Sequence, residues 1–120
     1  MTSKIAVVVS YPSQHPTTKA PLTFDMKYYL ATHMPLIEGL WGPHGLKRWS
    51  INTFPDPCPL TGQTPPYRVQ TTCWFDSVEQ LKNAMEKGGD KGRLDIENFS
   101  NVQPIICVGE KGEAGMMDKE

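Results

Sequence analysis

The residue best suited to chemistry in this chain is His33, because it lies on the apolar side of a segment with helical periodicity. Apolar residues recur at spacings of three and four through this segment, and they are Met26, Tyr29, Leu30, Ile37, Leu40 and Trp41. An imidazole has a pKa near neutrality, so His33 is suited to act as a general base or acid. A hydrogen-bonded interior histidine without a chemical role fits the same spacing. The pattern leaves both interpretations open.

The helix that carries His33 has recognisable ends and one internal disruption. Asp25 is suited to cap its start, and Gly42-Pro43 marks its end. Pro35 has no N–H to donate to the carbonyl of Ala31, and its ring disfavours helical geometry in the preceding residue. The sequence therefore predicts a kink or break within a residue or two of His33.

Four further residues are candidates for substrate binding: Tyr29, Trp49, Asn52 and Trp74. Tyr29 lies one helical turn before His33, so its phenol is expected to share the same cavity. The two tryptophans offer flat apolar walls for an aromatic or hydrocarbon ligand, and Asn52 is able to hold a carbonyl or hydroxyl group. Each of the four is equally explained as a core, interface or strand-surface residue.

The elements that must position these residues follow the order β, α, β, β, α, β. The predicted strands span residues 4–11, 46–54, 67–75 and 102–109; the second helix begins at Asp76 or Ser77 and ends at Gly88-Gly89, before a short helical turn over 90–98. This order is typical of an α+β, ferredoxin-like unit with a four-stranded antiparallel sheet and helices on one face. We expect residues 1–109 to form one domain and residues 110–120 a charged, mobile tail.

The sheet face without helices also needs cover. The first and last predicted strands are apolar on both faces, which is typical of strands buried on both sides. Packing two identical sheets about a two-fold axis is the simplest way to cover the remaining face. The pattern therefore predicts a homodimer.

The composition argues against several classes of function. Lys and Arg number 12 against 13 Asp and Glu, so the net charge of −1 favours neither nucleic acid nor an anionic membrane as partner. The three cysteines cannot all pair, and the apolar run at the N-terminus is too short for a signal peptide, so we expect reduced thiols in a cytoplasmic protein. The chain has no CxxC, HExxH, calcium-loop or phosphate-loop motif, and we predict neither a metal nor an organic cofactor.

The residues around His33 also resemble a known family. Tyr28-Tyr29, then His33-Met34-Pro35-Leu36, then Leu40-Trp41-Gly42-Pro43-His44-Gly45-Leu46 is similar to the signature of the EthD family, named for ethyl tert-butyl ether degradation. The order of elements fits that family over residues 4–109. The resemblance implies a ferredoxin-like unit that pairs into a dimeric α+β barrel, with a small-molecule pocket between the sheet and the helices. It also implies that His33 occupies the family position most often suspected of catalysis.

The resemblance does not imply one reaction. Relatives in the wider superfamily include cofactor-free monooxygenases, lactone isomerases, and decarboxylases or cyclases of aromatic and polyketide compounds. One hypothesis is therefore a lyase, isomerase or monooxygenase that acts without metal or cofactor on a small apolar or aromatic metabolite, with His33 moving a proton. The alternative is an accessory protein that carries a small molecule for an oxidoreductase, such as an ether-degrading monooxygenase system.

A third hypothesis follows from the strand order, which underlies a common RNA-binding fold as well. The strand over 67–75 lacks the basic, glycine and aromatic signature of that fold. Together with the net charge, this argues against RNA. The two proline-rich connections, over 12–23 and 55–66, are instead expected at the rim of a small-molecule pocket.

Overall fold

Four strands form one antiparallel sheet in the order β2-β3-β1-β4, in a computed structural model that describes residues 4–110, 112, 113, 115 and 117. The strands are β1 (Ile5–Pro12), β2 (Arg48–Thr53), β3 (Tyr67–Phe75) and β4 (Ile105–Glu110). The predicted α+β ferredoxin-like unit is confirmed. Pairing of two such units stays a prediction, as does the domain boundary at residue 109. The expected mobility of the tail over 110–120 concerns residues that lie largely outside the described part of the chain.

The strand register decides which side chains share a face of the sheet. Val7 of β1 pairs with Cys73 of β3 and with Val108 of β4, and Cys73 pairs with Trp49 of β2. Residues in register point to the same side, and successive residues alternate between sides. Trp49 therefore faces the helices, whereas its neighbours along β2 face the opposite, helix-free side.

The first helix begins as the sequence predicts. Asp25 is its N-cap and accepts a hydrogen bond from the Tyr28 backbone N–H at 3.0 Å. The helix then continues through α1 (Met26–Tyr28), a π-helical turn (Tyr29–His33) and α2 (Met34–Trp41). A 3₁₀ turn, Gly42–His44, follows directly.

Pro35 does not break this helix. The π-helical turn comes immediately before it, and the Met34 N–H donates to the carbonyl of Tyr29, five residues back. A π turn widens the helix by one residue per turn and is a known source of local distortion beside functional residues. A break is therefore wrong, since a π turn ending at His33 keeps the helix continuous, and the predicted kink stays a prediction.

The second half of the chain supplies the other helices. Ser77 caps α3 (Val78–Gly88) by accepting a hydrogen bond from the Gln80 N–H at 3.2 Å, as predicted. The helical turn expected over 90–98 is α4 (Lys91–Asp95) followed by a 3₁₀ turn (Ile96–Asn98). Gly45 has φ +115°, and a Cβ there would lie 2.6 Å from Gln80 Cδ. Glycine is therefore required where the chain turns from the first helix into β2.

The core lies between the sheet and the helices, in two groups of buried side chains. One group is Tyr11, Tyr29, Met34, Ile37, Val69, Ile96 and Phe99, and the other is Ile5, Val7, Cys73, Phe75, Leu81 and Ala84. The edge strand β4 is poorly covered by comparison, because Ile105, Ile106 and Val108 are 49%, 54% and 46% exposed. In the single chain, the apolar faces of β4 thus remain open to solvent.

Candidate active site

His33 lies at the end of the π-helical turn, and its ring packs against two aromatic side chains. The residue is 5% exposed. Its ring stacks on Tyr29 with centroids 5.2 Å apart and planes inclined by 14°, and the Phe99 ring lies 4.5 Å away on a tilted plane. These contacts restrict the orientation of the imidazole.

Asp95, the last residue of α4, holds one ring nitrogen of His33. The Nδ1 atom of His33 lies 2.9 Å from Oδ2 of Asp95. The other carboxylate oxygen, Oδ1, accepts hydrogen bonds from the Tyr28 hydroxyl at 2.7 Å and from Asn98 Nδ2 at 2.9 Å. Burial alone would raise the pKa of Asp95, but the hydrogen bonds from Asn98, Tyr28 and His33 outweigh it and lower the pKa below 3.8. The carboxylate is therefore ionised at neutral pH.

His33 itself is neutral under the same conditions. Burial lowers its pKa below 6.5 and outweighs the opposing effect of Asp95, which raises it. The contact is then a hydrogen bond from a neutral imidazole to a carboxylate, in which Nδ1 carries the proton. Nε2 is left with a free lone pair and has no hydrogen-bond partner among the described residues. This is the protonation state that a general base needs.

His33 forms part of the wall of a cavity of about 390 Å³. The cavity lies between the first helix, the sheet and the connection from α3 to α4. It is lined by Val9, Tyr11, Tyr29, His33, Met34, Ile37, Trp41, Thr71, Cys73, Met85, Gly89, Asp90, Gly92, Arg93, Ile96, Gln103, Pro104 and Ile106. The sequence places a pocket between the first helix and the sheet, and a cavity is found there.

The other polar groups deep in the cavity stay protonated at neutral pH. The Tyr29 hydroxyl and Thr71 Oγ1 are 2.6 Å apart and satisfy each other. Burial raises the pKa of Tyr29 to about 12 and that of the Cys73 thiol to about 12. Burial, more than the nearby Tyr29, also raises the pKa of Tyr11. His33 is thus the buried cavity residue able to exchange a proton near neutral pH.

The family of the chain follows from comparison with known proteins. The model of the EthD domain matches residues 19–103, a stretch that contains both His33 and Asp95. This chain belongs to the EthD family. A comparison with curated proteins finds no match.

Two solved structures show the same EthD-like fold. An EthD-like protein from Ralstonia eutropha JMP134 superimposes with a TM-score of 0.75 at 24% identity, over 92% of this chain and 93% of that chain. An ethyl tert-butyl ether d (EthD) family protein from Bacillus halodurans C-125 superimposes with a TM-score of 0.64 at 19% identity, over 91% of this chain and 99% of that chain. At these identities the likeness concerns the fold alone.

The structure places the predicted site residues of this EthD domain in three different positions. His33 and Tyr29 line the cavity together. Trp49 faces the helices but donates its indole N–H to Glu38 Oε2 at 2.9 Å and does not line the cavity. Asn52 and Trp74 lie on the helix-free face of the sheet, where the Arg48 guanidinium is 3.6 Å from the centre of the Trp74 ring. Substrate binding by Tyr29, Trp49, Asn52 and Trp74 stays a prediction.

Sequence reasoning missed Asp95. It lies 62 residues from His33 along the chain. The sequence predicts a helical turn over 90–98 but assigns no functional residue to it. An aspartate within a short helix carries no local signal of its partner. The one usable signal was the spacing of the apolar residues Ile96 and Phe99, one and four positions after Asp95, which predicts a helical face against the core. Both residues are buried.

The two proline-rich loops do not border this cavity, contrary to expectation. They pack against each other, with the Ser13 N–H donating to the Pro66 carbonyl at 2.9 Å and the Ser13 hydroxyl donating to the Pro65 carbonyl. Neither loop contributes a residue to the wall around His33. The rim is formed instead by the connection between α3 and α4.

The described residues offer no metal site or membrane span. Across residues 4–110 and the four described positions beyond them, no group of three or more His, Cys, Asp or Glu side chains is arranged to hold a metal ion. The described helices include none with the length and apolarity needed to cross a membrane. Cys58, Cys73 and Cys107 are free thiols.

Proposed function

We propose that this EthD-family chain is an enzyme that removes a proton from a small apolar or aromatic substrate, with His33 as general base. The observation that carries the proposal is the 2.9 Å contact between His33 Nδ1 and Asp95 Oδ2, made by a residue that lines a largely apolar cavity. This contact keeps the proton on Nδ1, so Nε2 retains its lone pair and is the ring nitrogen that is able to accept a proton from a substrate.

The step balances with groups of this chain alone. A C–H bond next to a carbonyl of the substrate breaks, its proton bonds to Nε2, and its electron pair moves onto the carbonyl oxygen. His33 becomes an imidazolium that the Asp95 carboxylate stabilises at Nδ1. Returning the proton to another position completes an isomerisation, and expelling a leaving group completes a lyase reaction. In a monooxygenase of this type, molecular oxygen is the co-substrate: the carbanion adds to it to form a peroxide, which takes the proton back from His33. Loss of a second C–H proton with cleavage of the O–O bond then leaves a new carbonyl on the substrate and releases water.

The assay is deuterium incorporation into tetralone, a bicyclic aryl ketone, in D₂O. Exchange at the carbon next to the carbonyl reports proton removal directly and does not require the natural substrate. We expect the wild type to accelerate exchange, and His33→Gln to lose the acceleration by about 10²–10⁴-fold. His33→Gln keeps a polar side chain beside Asp95, so that loss of activity is not confused with loss of the fold. His44→Ala, which removes a histidine outside the cavity, is the matched control and should exchange as the wild type does.

Binding measured on the same samples separates an enzyme from an accessory protein. Methyl resonances of Met85 and Ile106 report on ketone in the cavity, since both residues line it. Binding in both proteins with exchange only in the wild type supports the proposal. Binding in both with accelerated exchange in neither favours the accessory alternative. Equal acceleration by the wild type and His33→Gln would remove His33 from the chemistry.

We also propose that the chain works as a homodimer. Ile105 pairs in register with Ser10 and lies on the helix-free face together with Val8 and Trp74. Ile105 is 49% exposed in the single chain, as expected of a face that a second copy covers. The cytoplasmic location inferred from cysteine usage stays a prediction.

A further inference from the structure

We propose that Arg93 binds an anionic oxygen of the substrate at the cavity mouth, which makes the substrate class an apolar or aromatic carboxylate. The inference rests on the proposed function and adds the substrate class to it. It is carried by the placement of one cation on the wall of a cavity whose deep end holds the base.

The cavity has a buried end and an exposed end. His33 is 5% exposed, whereas the side chain of Arg93 is 64% exposed and that of Asp90 is 71% exposed. All three residues line the same cavity. Met85 and Ile106 also line the cavity and are 41% and 54% exposed. Arg93 and Asp90 are thus the charged side chains at the exposed part of the cavity wall, where a molecule bound beside His33 and reaching to this part would contact them.

Arg93 is available to a ligand because its present partner holds it weakly. Its Nη2 atom lies 3.4 Å from Asp90 Oδ2, and both side chains are mostly solvated. Exposed ion pairs of this kind contribute little stability. A guanidinium has five N–H donors in a planar fork that matches a carboxylate, so a substrate carboxylate is able to replace or join Asp90.

The distribution of charge favours the mouth over the deep end for an anion. The ionised Asp95 lies directly behind His33, and its negative charge repels an anionic group placed there. Arg93 and Asp95 are two residues apart on α4, and residues at that spacing do not face each other. Arg93 is also the only lysine or arginine among the described residues that line the cavity. An anionic group at the mouth thus orients the apolar body of the substrate toward Nε2.

The test uses three naphthalene probes of matched shape: naphthoate, naphthamide and naphthylmethylammonium. Affinities are measured by titration of the Met85 and Ile106 methyl resonances, which also locates each probe in the cavity. We expect the wild type to bind naphthoate about tenfold more tightly than naphthamide, and this preference to shrink when salt is raised from about 50 mM to about 500 mM. Arg93→Gln should abolish the preference without lowering affinity for the amide.

Two matched variants sharpen the result. Asp90→Asn removes the competing carboxylate and should strengthen naphthoate binding severalfold, opposite to the effect of Arg93→Gln. Arg48→Gln removes the same charge from the other face of the sheet and should leave the preference unchanged. Agreement of all three variants assigns the effect to Arg93 itself rather than to net charge.

The possible failures are distinguishable. Equal binding of acid and amide, or a preference that survives Arg93→Gln, overturns the role of Arg93 and leaves proton transfer by His33 standing. Tightest binding of naphthylmethylammonium assigns the mouth to Asp90 and overturns the inference. Absence of binding by all three probes, together with absence of tetralone binding, overturns both the inference and the proposed function.

Discussion

Replacing Asp95 by Asn should exchange the protonated nitrogen of His33. In the wild type, Oδ1 of Asp95 accepts two hydrogen bonds, from Tyr28 and Asn98, while Oδ2 accepts one from His33. An asparagine has one oxygen, and placing it toward the two donors satisfies more bonds. Its amide nitrogen then faces His33 Nδ1 and donates to it. The proton of the neutral imidazole must move to Nε2, the atom that we assign as base.

The moved proton sets the size of the effect on activity, and the hydrogen bonds of residue 95 set the effect on stability. Without a lone pair on Nε2, the contribution of general-base catalysis is lost, which corresponds to about 10²–10⁴ in rate. Each of the three hydrogen bonds to residue 95 becomes weaker by about 1 kcal/mol when its acceptor or partner group is no longer charged. Part of this loss is offset, because a mostly buried charge no longer has to be kept out of water. We therefore expect the free energy of unfolding to fall by about 1–3 kcal/mol. The variant should therefore remain folded but inactive.

The assay is ¹⁵N NMR of the His33 ring, combined with tetralone exchange. The wild type should show a protonated Nδ1 and an unprotonated Nε2 at neutral pH, and Asp95→Asn should show the reverse. Glu97→Gln removes an exposed carboxylate two residues further on and is the matched control, with the wild-type pattern expected. A protonated Nε2 in the wild type, or an unchanged ring in Asp95→Asn, would refute the reasoning about the base.

Three further predictions follow from the same structure. The folded-state pKa values of His33 and Asp95 lie below 6.5 and 3.8, so both groups contribute stability that is present above those pH values and is lost as the pH falls. The free energy of unfolding should therefore decline from about pH 7 to about pH 5, and it should decline less steeply in His33→Gln. An equal slope in both proteins would contradict the lowered pKa of His33. Ile105→Asp should give a monomer by light scattering that is still folded by circular dichroism. Val7→Asp should unfold the chain, because Val7 faces the helices and is only 1% exposed. A wild type that is already monomeric would exclude the dimer. Pro35→Ala supplies an N–H inside the helix, so the free energy of unfolding should stay equal or rise by about 1 kcal/mol. The substitution should also shift the ring resonances of His33, and unchanged resonances would show that the proline does not orient the ring.

Much of the fold could be predicted because its signals are local. The limits of β3 agree with the predicted strand over 67–75, and Asp25 and Ser77 cap the helices that they were predicted to cap. Alternation and capping depend on neighbouring residues, whose chemistry the sequence shows directly. The helical face that carries His33 was recognisable for the same reason.

The candidate site could be predicted only in part. Period-two alternation shows that Trp49 and Ile51 share a face, but the register between strands decides that Trp74 lies on the other side. The π turn before Pro35 was not predicted, because the missing N–H shows that a hydrogen bond is lost but not how the backbone adapts. The partner of His33 carried no sequence signal at all.

The sequence by itself determined the order of the elements, their caps, the family and the buried position of His33, since these depend on periodicity and on residues close together in the chain. Only the tertiary structure decided that Asp95 holds the imidazole, that Tyr28 and Asn98 hold Asp95, and that Arg93 lies on the wall of the same cavity. The physical reason is that the contacts of Asp95 with His33 and Tyr28 join α4 to the first helix across 62 and 67 residues, and packing of both helices on the sheet sets their distance. Local propensity carries no information about which side chains such packing brings within hydrogen-bond reach.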